Sequence, residues 1–210
     1  MESVTISKKL LKRLPIYLSH LKSLPEDSNV SATAMARALG LGDVQVRKDL
    51  AKVSGAGRRR TGRSTEQLIQ DIEMYLDFAA LTGTVIVGAG KLGQALLDYN
   101  GFEEAGLNVM AGFDLEPCPE CSENGKPIYP MHRLEHFCRH YDVHIGVITV
   151  PAESAQQVCD ALVECGITAI WNFAPVHLKV PDHVLVQSEN LAVSLTALRV
   201  QMRNQKLITE

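Results

Sequence analysis

The apolar run Thr84-Val85-Ile86-Val87 leads straight into Gly88-Ala89-Gly90-Lys91-Leu92-Gly93. A strand, this glycine pattern and then a helix form the fingerprint of a dinucleotide-binding βαβ unit, and that unit commits its surroundings to a parallel sheet. Gly88 permits the tight turn, Gly90 lets the backbone approach a pyrophosphate, and Gly93 lets the helix Leu92 to Tyr99 pack closely on its strand. The start of that helix offers N–H groups and a positive dipole to phosphates. Residues 107–113 read as a second strand that ends in Asp114, twenty-one residues beyond Gly93. A carboxylate there accepts from a ribose hydroxyl and repels a 2′-phosphate, so it favours NAD(H) over NADP(H); the alternative is an ordinary loop carboxylate. Further strands fit 143–150 and 168–173, with helices at 131–140 and 152–165, and this alternation indicates a mostly parallel sheet. Ligands lie at the carboxyl ends of such strands. Thr149, Val150 and Pro151, with Asn172, Phe173, Ala174 and Pro175, are therefore the expected remaining walls of the pocket, unless Asn172 only caps a turn.

The fingerprint begins about eighty residues into the chain, and the segment before it has a different charge. Residues 1–63 hold 13 Lys and Arg against 5 Asp and Glu, a net of +8; the remainder holds 8 against 19, a net of −11. The formal −3 of the whole thus conceals two halves with different partners. At 210 residues the chain accommodates two domains, and its 46% hydrophobic content suffices for two cores. No apolar stretch approaches the roughly 18 residues of a membrane span, and the N-terminus lacks the pattern of a signal peptide. Five cysteines, an odd number, fit a reducing compartment and a cytosolic protein.

In the basic half, Leu10, Leu11, Leu14, Tyr17, Leu18 and Leu21 recur at helical spacing, with Lys8, Lys9, Lys12, Arg13 and Lys22 on the outer side and Pro25 as the stop. Ser31 is a plausible N-cap for a helix over 32–39 closed by Gly40, and Asp43 one for a helix over 44–53. Two short helices joined by a glycine-containing turn outline a helix-turn-helix. The second carries Gln45, Arg47, Lys48 and Lys52 on exposed positions and buries Val46, Leu50 and Val53. Such side chains suit a major groove, where Arg or Lys meets guanine and Gln meets adenine. The glycine-flanked arginines Arg58, Arg59, Arg60 and Arg63 follow, a cationic wing able to track phosphates or enter a narrow minor groove; a processing site, a localisation signal or a solvated linker is the alternative. A further helical face over 65–81 reads as a bridge to the nucleotide half.

A dehydrogenase needs a proton donor or acceptor near the hydride site. His177 and Tyr99 are the candidates, neither in an arrangement that specifies a reaction, and no substrate domain follows the sheet. The Cys118-Pro119-Glu120-Cys121 motif, with Cys138, His132, His136 and His140, admits zinc, a redox thiol pair or plain loop and helix surface; no second motif completes a metal site, and none is assigned. The final helix, about 191–206, carries Leu191, Leu195, Leu198 and Met202 as an apolar stripe that needs a cover.

Taken together, these motifs resemble those of the Rex family of redox-sensing transcriptional repressors. The matching residues are Val46-Arg47-Lys48-Asp49-Leu50, Val87 to Gly93, Asp98-Tyr99-Asn100-Gly101-Phe102, Gly112-Phe113-Asp114, Thr149-Val150-Pro151, Asn172 to Pro175 and Glu189-Asn190. The resemblance implies a winged helix-turn-helix domain with a linker helix over 1–80, a Rossmann-like NAD(H)-binding domain over 81–188, and a dimerisation helix over 189–210 that is swapped between the subunits of a homodimer. It implies a non-enzymatic repressor that binds double-stranded operator DNA and releases it when NADH binds. It also implies that Tyr99 acts as a switch beside an arginine and an aspartate, whose positions hold Ser19 and Ala192 here. Two other readings stay open: a DNA-binding regulator without the NADH response, and an NAD-dependent oxidoreductase with a basic arm.

Overall fold

A computed structural model describes residues 7–25, 27–55, 62–76, 82–117 and 121–208, without the side chains of Lys8 and residues 204–208. The chain divides into two compact units, 1–80 and 81–210.

In the first unit, α1 (Lys8–Lys22) is followed by β1 (Asn29–Val30), α2 (Ala32–Leu39), α3 (Asp43–Ser54), β2 (Arg63–Ser64) and α4 (Thr65–Tyr75). Ser31 caps α2, its side chain accepting from the Ala34 N–H at 3.0 Å, and Gly40 ends it in the left-handed region at φ 64°, as the sequence predicts. For α3 the expectation needs correcting. The N-cap is Gly42, and Asp43 is already helical, where it accepts from the Thr33 hydroxyl at 2.7 Å and pairs with Arg47. Strands β1 and β2 pair antiparallel and give the unit a small ribbon, which periodicity in two-residue strands cannot reveal. Leu10, Leu14, Tyr17, Leu18 and Leu21 of α1 meet Met35, Val46, Leu50, Leu68 and Ile72 in one core. Leu11, expected on that face, is exposed, and Arg13, expected outside, turns inward onto Asp49.

The second unit is a six-stranded, wholly parallel sheet built from β3 (Thr82–Val87), β4 (Leu107–Asp114), β5 (Ile128–Pro130), β6 (Val143–Ile148), β7 (Ala169–Asn172) and β8 (Leu185–Ser188). The strand order is β5-β4-β3-β6-β7-β8, so the direction of winding reverses between β3 and β6. This is the doubly wound arrangement, whose ligands lie at that reversal. The helices are α5 (Lys91–Leu97), α6 (Gly101–Glu104), α7 (Leu134–His140), α8 (Ala152–Glu164) and α9 (Leu191–Ile208). Alternation along β3 sorts the two faces. Val85 and Val87 join Leu134 of α7 and Cys159 and Leu162 of α8, whereas Ile86 joins Leu97 of α5, with Phe102 and Trp171 packed against that cluster. Helix α9 is exposed wherever its side chains are described, including Leu191, Leu195, Leu198 and Met202.

Asp98, which caps α5, gathers the turn over 121–126: its carboxylate accepts from the Ser122 hydroxyl and from the N–H groups of Glu123 and Asn124, both at 3.1 Å. Burial pushes its pKa up, but Ser122, the two N–H donors and the charge of Lys126 outweigh burial and hold the carboxyl below its ordinary value. A folded pKa below the unfolded one stabilises above the ordinary carboxylate range, and that contribution is lost as pH falls through the folded value. The thermal midpoint should therefore fall from roughly pH 5 to pH 3 more steeply in the parent than in Asp98→Asn. Parallel curves would contradict this.

Candidate dinucleotide pocket and nucleic-acid interface

Register places the ends of four strands on one line. Val87 pairs with Phe113 and Ile148, and Ile148 pairs with Asn172, so Gly88, Asp114, Thr149 and Phe173 follow at the same edge of the sheet. Here Gly88 takes φ +101°, and a Cβ on Gly93 would lie 1.8 Å from the Gly88 carbonyl oxygen. Glycine is obligatory at both positions. Gly90 has nothing within 4 Å of an added Cβ, so its lack of a side chain matters only to something arriving from outside. Gly88 and Gly93 thus serve the tight turn and the close helix–strand packing that the spacing predicts.

Side chains from other elements hold the turn. The Thr149 hydroxyl reaches the carbonyl oxygens of Val87 (3.0 Å) and Gly88 (2.7 Å), Gln94 Nε2 donates to the Ala89 carbonyl at 2.7 Å, and the Ala89 N–H donates to Asp114 Oδ2 at 2.7 Å. Asp114 is thereby fixed at the rim, with its second oxygen accepting from the Glu116 N–H at 3.4 Å. A cavity of about 380 Å³ opens there, lined by Gly88, Gly90, Asp114, Thr149, Val150 and Pro151. Sequence reasoning missed its other walls: Val87, Leu115 and Met131, and one face of α8 formed by Ser154, Gln157, Val158 and Ala161. The 3-and-4 spacing of that face was the available signal. Volume and largely apolar walls suit the adenosine half of a dinucleotide.

The structure does not bring the other expected walls into that cavity. Asn172 is fully buried: its Nδ2 donates to the carbonyls of Ala174 (3.1 Å) and Val176 (3.0 Å), and its Oδ1 accepts from the Ala174 N–H at 2.9 Å. Both amide N–H groups and the amide oxygen serve the turn, which is the alternative reading of that residue. Ala174 is buried in the core, Pro175 is exposed, and Phe173 stacks edge-on with Trp171 at 4.4 Å. Phe102 stands 5.9 Å from Trp171 and 4.9 Å from the exposed Tyr99, completing a row of four aromatic rings. Lys91 and Leu92 open α5 as exposed residues; His177, Ser19 and Ala192 are exposed as well.

On α3, Lys48 and Lys52 are exposed, Arg47 is paired with Asp43, and Val46 and Leu50 are buried. Gln45, also exposed, donates to Asp49 Oδ1 at 2.8 Å. Asp49 is the residue that sequence reasoning left without a role. Only 3% exposed, it also receives Arg13 through two nitrogens at 2.7 and 3.0 Å and the Tyr17 hydroxyl at 2.9 Å. Burial pushes the Asp49 carboxyl up, but these donors outweigh it and hold it below its ordinary range; burial and the adjacent carboxylate push the Tyr17 phenol up to about 12. Arg63 departs from the picture of a free wing cation. It is half-buried in β2 and donates through Nη2 to the Gly55 carbonyl, joining the two ends of the arginine-rich segment, and its Nε is buried with no partner. Arg58, Arg59 and Arg60 lie outside the described residues, as does Cys118. Among the described residues no three His, Cys, Asp or Glu side chains converge as a metal site.

Comparisons with known proteins follow the same two-part division. Residues 80–176 match the family model described as CoA binding domain, and residues 5–51 that of a putative DNA-binding protein N-terminus. The redox-sensing transcriptional repressor Rex of Bacteroides thetaiotaomicron is 37% identical over 196 residues, 92% of this chain and 89% of its own. That of Treponema denticola is 37% identical over 199 residues, 93% and 95% of the two chains. The crystal structure of RSP in complex with β-NAD⁺ and operator DNA superposes with a TM-score of 0.86 at 30% identity, covering 99% of this chain and 97% of RSP. The RSP complex with β-NADH gives 0.82 at the same identity, covering 99% of each chain. With identity above 30% sustained across both units, the chain belongs to the Rex family of redox-sensing transcriptional repressors.

Proposed function

We propose that this chain is a repressor that binds operator DNA as a homodimer and is released when NADH occupies the second unit. The observation that carries the reading is the likeness, over 99% of the chain, to RSP, a Rex-family repressor whose complexes with β-NAD⁺ and operator DNA and with β-NADH are known. The family consists of transcriptional repressors, so the oxidoreductase alternative is set aside. Coenzyme A and NAD share an adenosine diphosphate half, so the CoA-binding match bears on the fold without choosing the ligand.

In this reading the adenosine of NAD(H) enters the 380 Å³ cavity, Asp114 accepts from its ribose, and the pyrophosphate crosses Gly90. The nicotinamide then lies toward the Asn172–Pro175 turn. The two redox states differ in the charge of that ring, and apolar neighbours such as Phe173 disfavour the cationic form through desolvation. Tyr99, at the end of the aromatic row that includes Phe173, is the proposed reporter of occupancy. Ser19 and Ala192 remove the two charges expected beside it, and this row of packed rings is the route that remains. Lys48, Lys52, Gln45 and Arg47 face the groove, and the arginines at 58–60 follow phosphates. The apolar side of α9 finds its cover in a second copy, which also supplies the second recognition helix for a palindromic site. No described helix is long and apolar enough to cross a membrane, which accords with work in the cytoplasm.

DNA binding of this kind is tested by salt. If about six cations neutralise phosphates, log affinity for duplex DNA should fall against log salt with a slope near −5. A slope near zero would contradict nucleic-acid binding.

A further inference from the structure

The second unit carries another cavity, of about 290 Å³, that shares no residue with the dinucleotide pocket. Its lining is Tyr129 of β5, Arg133 just before α7, and His136, Phe137, His140 and Tyr141 along and after that helix. The composition is unusual for a solvated face, because every member is aromatic or cationic.

Three features set what such a space can hold. First, Arg133 is not neutralised: its guanidinium sits 5.8 Å above the Tyr129 ring, and no described carboxylate pairs with it. Of the acids along this segment, Glu135 pairs with Arg139, and Asp142 lies 3.1 Å from His144 Nε2. Second, His136 and His140 stand one helical turn apart with their rings nearly parallel, 6.3 Å between centroids and 14° between planes, and both line the same cavity as Arg133. Third, Phe137 joins Tyr129 and Tyr141, 5.8 and 4.5 Å away, in an apolar wall backed by the core.

A divalent cation between the two histidines would lie beside an unpaired guanidinium and would lack a third protein ligand among the described residues. The opposite charge fits. A carboxylate or phosphate oxygen takes the fork of Arg133 and an imidazole N–H, while a flat ring attached to it covers the tyrosine and phenylalanine faces. We infer that this cavity is a second ligand site, separate from the dinucleotide pocket, for a small aromatic anion: a single planar ring bearing one carboxylate or phosphate group. It does not depend on the DNA or NADH reading, and it would give the protein a second chemical input.

Amide-resolved NMR of the full-length protein, saturated with NADH to occupy the first pocket, tests the site with benzoate and phenyl phosphate as probes. Inorganic phosphate and benzyl alcohol serve as the anion-only and ring-only controls. For probes of this size a dissociation constant of about 1 mM is expected, with saturable shifts at Tyr129 and residues 133–141. The two probes distinguish carboxylate from phosphate recognition, and a saturable response to either supports the site. Arg133→Ala, a change at an exposed residue, should weaken binding about tenfold through loss of the charged donor, and His136→Ala with His140→Ala should weaken it further while leaving the rest of the spectrum in place. The inference is overturned if neither probe gives saturable shifts there, if a control binds as well as the probes, if the shifts map to residues 88–90 and 149–151, or if Arg133→Ala binds with parent affinity.

Discussion

Gly93→Ala is expected to weaken dinucleotide binding strongly and to destabilise the second unit at the same time. The new methyl would lie 1.8 Å from the Gly88 carbonyl oxygen and 2.9 Å from its carbon, and neither atom is free to yield. The Gly88 oxygen already accepts the Thr149 hydroxyl at 2.7 Å, and the Gly88 N–H donates to Phe113 at 2.8 Å, so the turn is tied to both neighbouring strands. Helix α5 must move away from β3 instead. Overpacking of this order costs about 3 kcal/mol, which lowers affinity about a hundredfold if it falls on the binding-competent turn. Gly90→Ala is the matched control. Nothing stands within 4 Å of its Cβ and its φ is −69°, so thermal stability should stay within about 0.5 kcal/mol of the parent, while the methyl intrudes where a pyrophosphate would pass. Calorimetric NADH titration beside thermal unfolding separates the two. If Gly93→Ala binds normally, or if Gly90→Ala unfolds as early as Gly93→Ala, the assignment of duties within the fingerprint is wrong.

Asp49→Ala should have the largest effect in the first unit. It leaves the Arg13 guanidinium and the buried Tyr17 hydroxyl without their shared acceptor and releases the Gln45 amide. Removing one partner from a buried pair costs about 3 to 5 kcal/mol; because Arg13 keeps 21% side-chain exposure, about 3 kcal/mol is the expected loss. In a unit of this size that lowers the midpoint of unfolding by roughly 15 °C. Operator affinity should fall as well, since α3 loses its link to α1 and Gln45 its anchor. Asp49→Asn, which keeps an acceptor oxygen, should lie between the two. An unchanged midpoint for Asp49→Ala would show that hydrophobic packing alone sets the position of α3.

Both predictions rest on contacts whose legibility in the sequence differed. The fingerprint could be read because its duties are local: three glycines within six residues, a preceding strand, and an acid one strand later. Ser31 and Gly40 were legible for the same reason, since a cap acts within three or four residues of the helix end that it satisfies. The Asp49 cluster was hidden because its partners are 32 and 36 residues away, and a charged pattern on one helix does not reveal which acid folds inward to meet a distant arginine. Strand β5 is three residues long and β8 is exposed throughout, so neither carries the alternation that marks a strand. Asn172 was placed at the correct edge of the sheet, but which way its amide faces depends on the turn that it builds. The α8 wall of the cavity could have been found from its spacing. That spacing serves packing and ligand contact alike, so by itself it does not tell a pocket wall from core.

Control of DNA affinity by dinucleotide redox state is measured directly by titration of a fluorescently labelled operator duplex at fixed salt. Allosteric couplings commonly span about 5- to 150-fold; carrying the protein from 99% to 1% DNA-competent would need about 5.5 kcal/mol of preference. Saturating NADH is expected to weaken operator binding by at least about tenfold and NAD⁺ by less than about threefold. Equal effects of NADH and NAD⁺, or no effect of either, would contradict redox sensing by this chain.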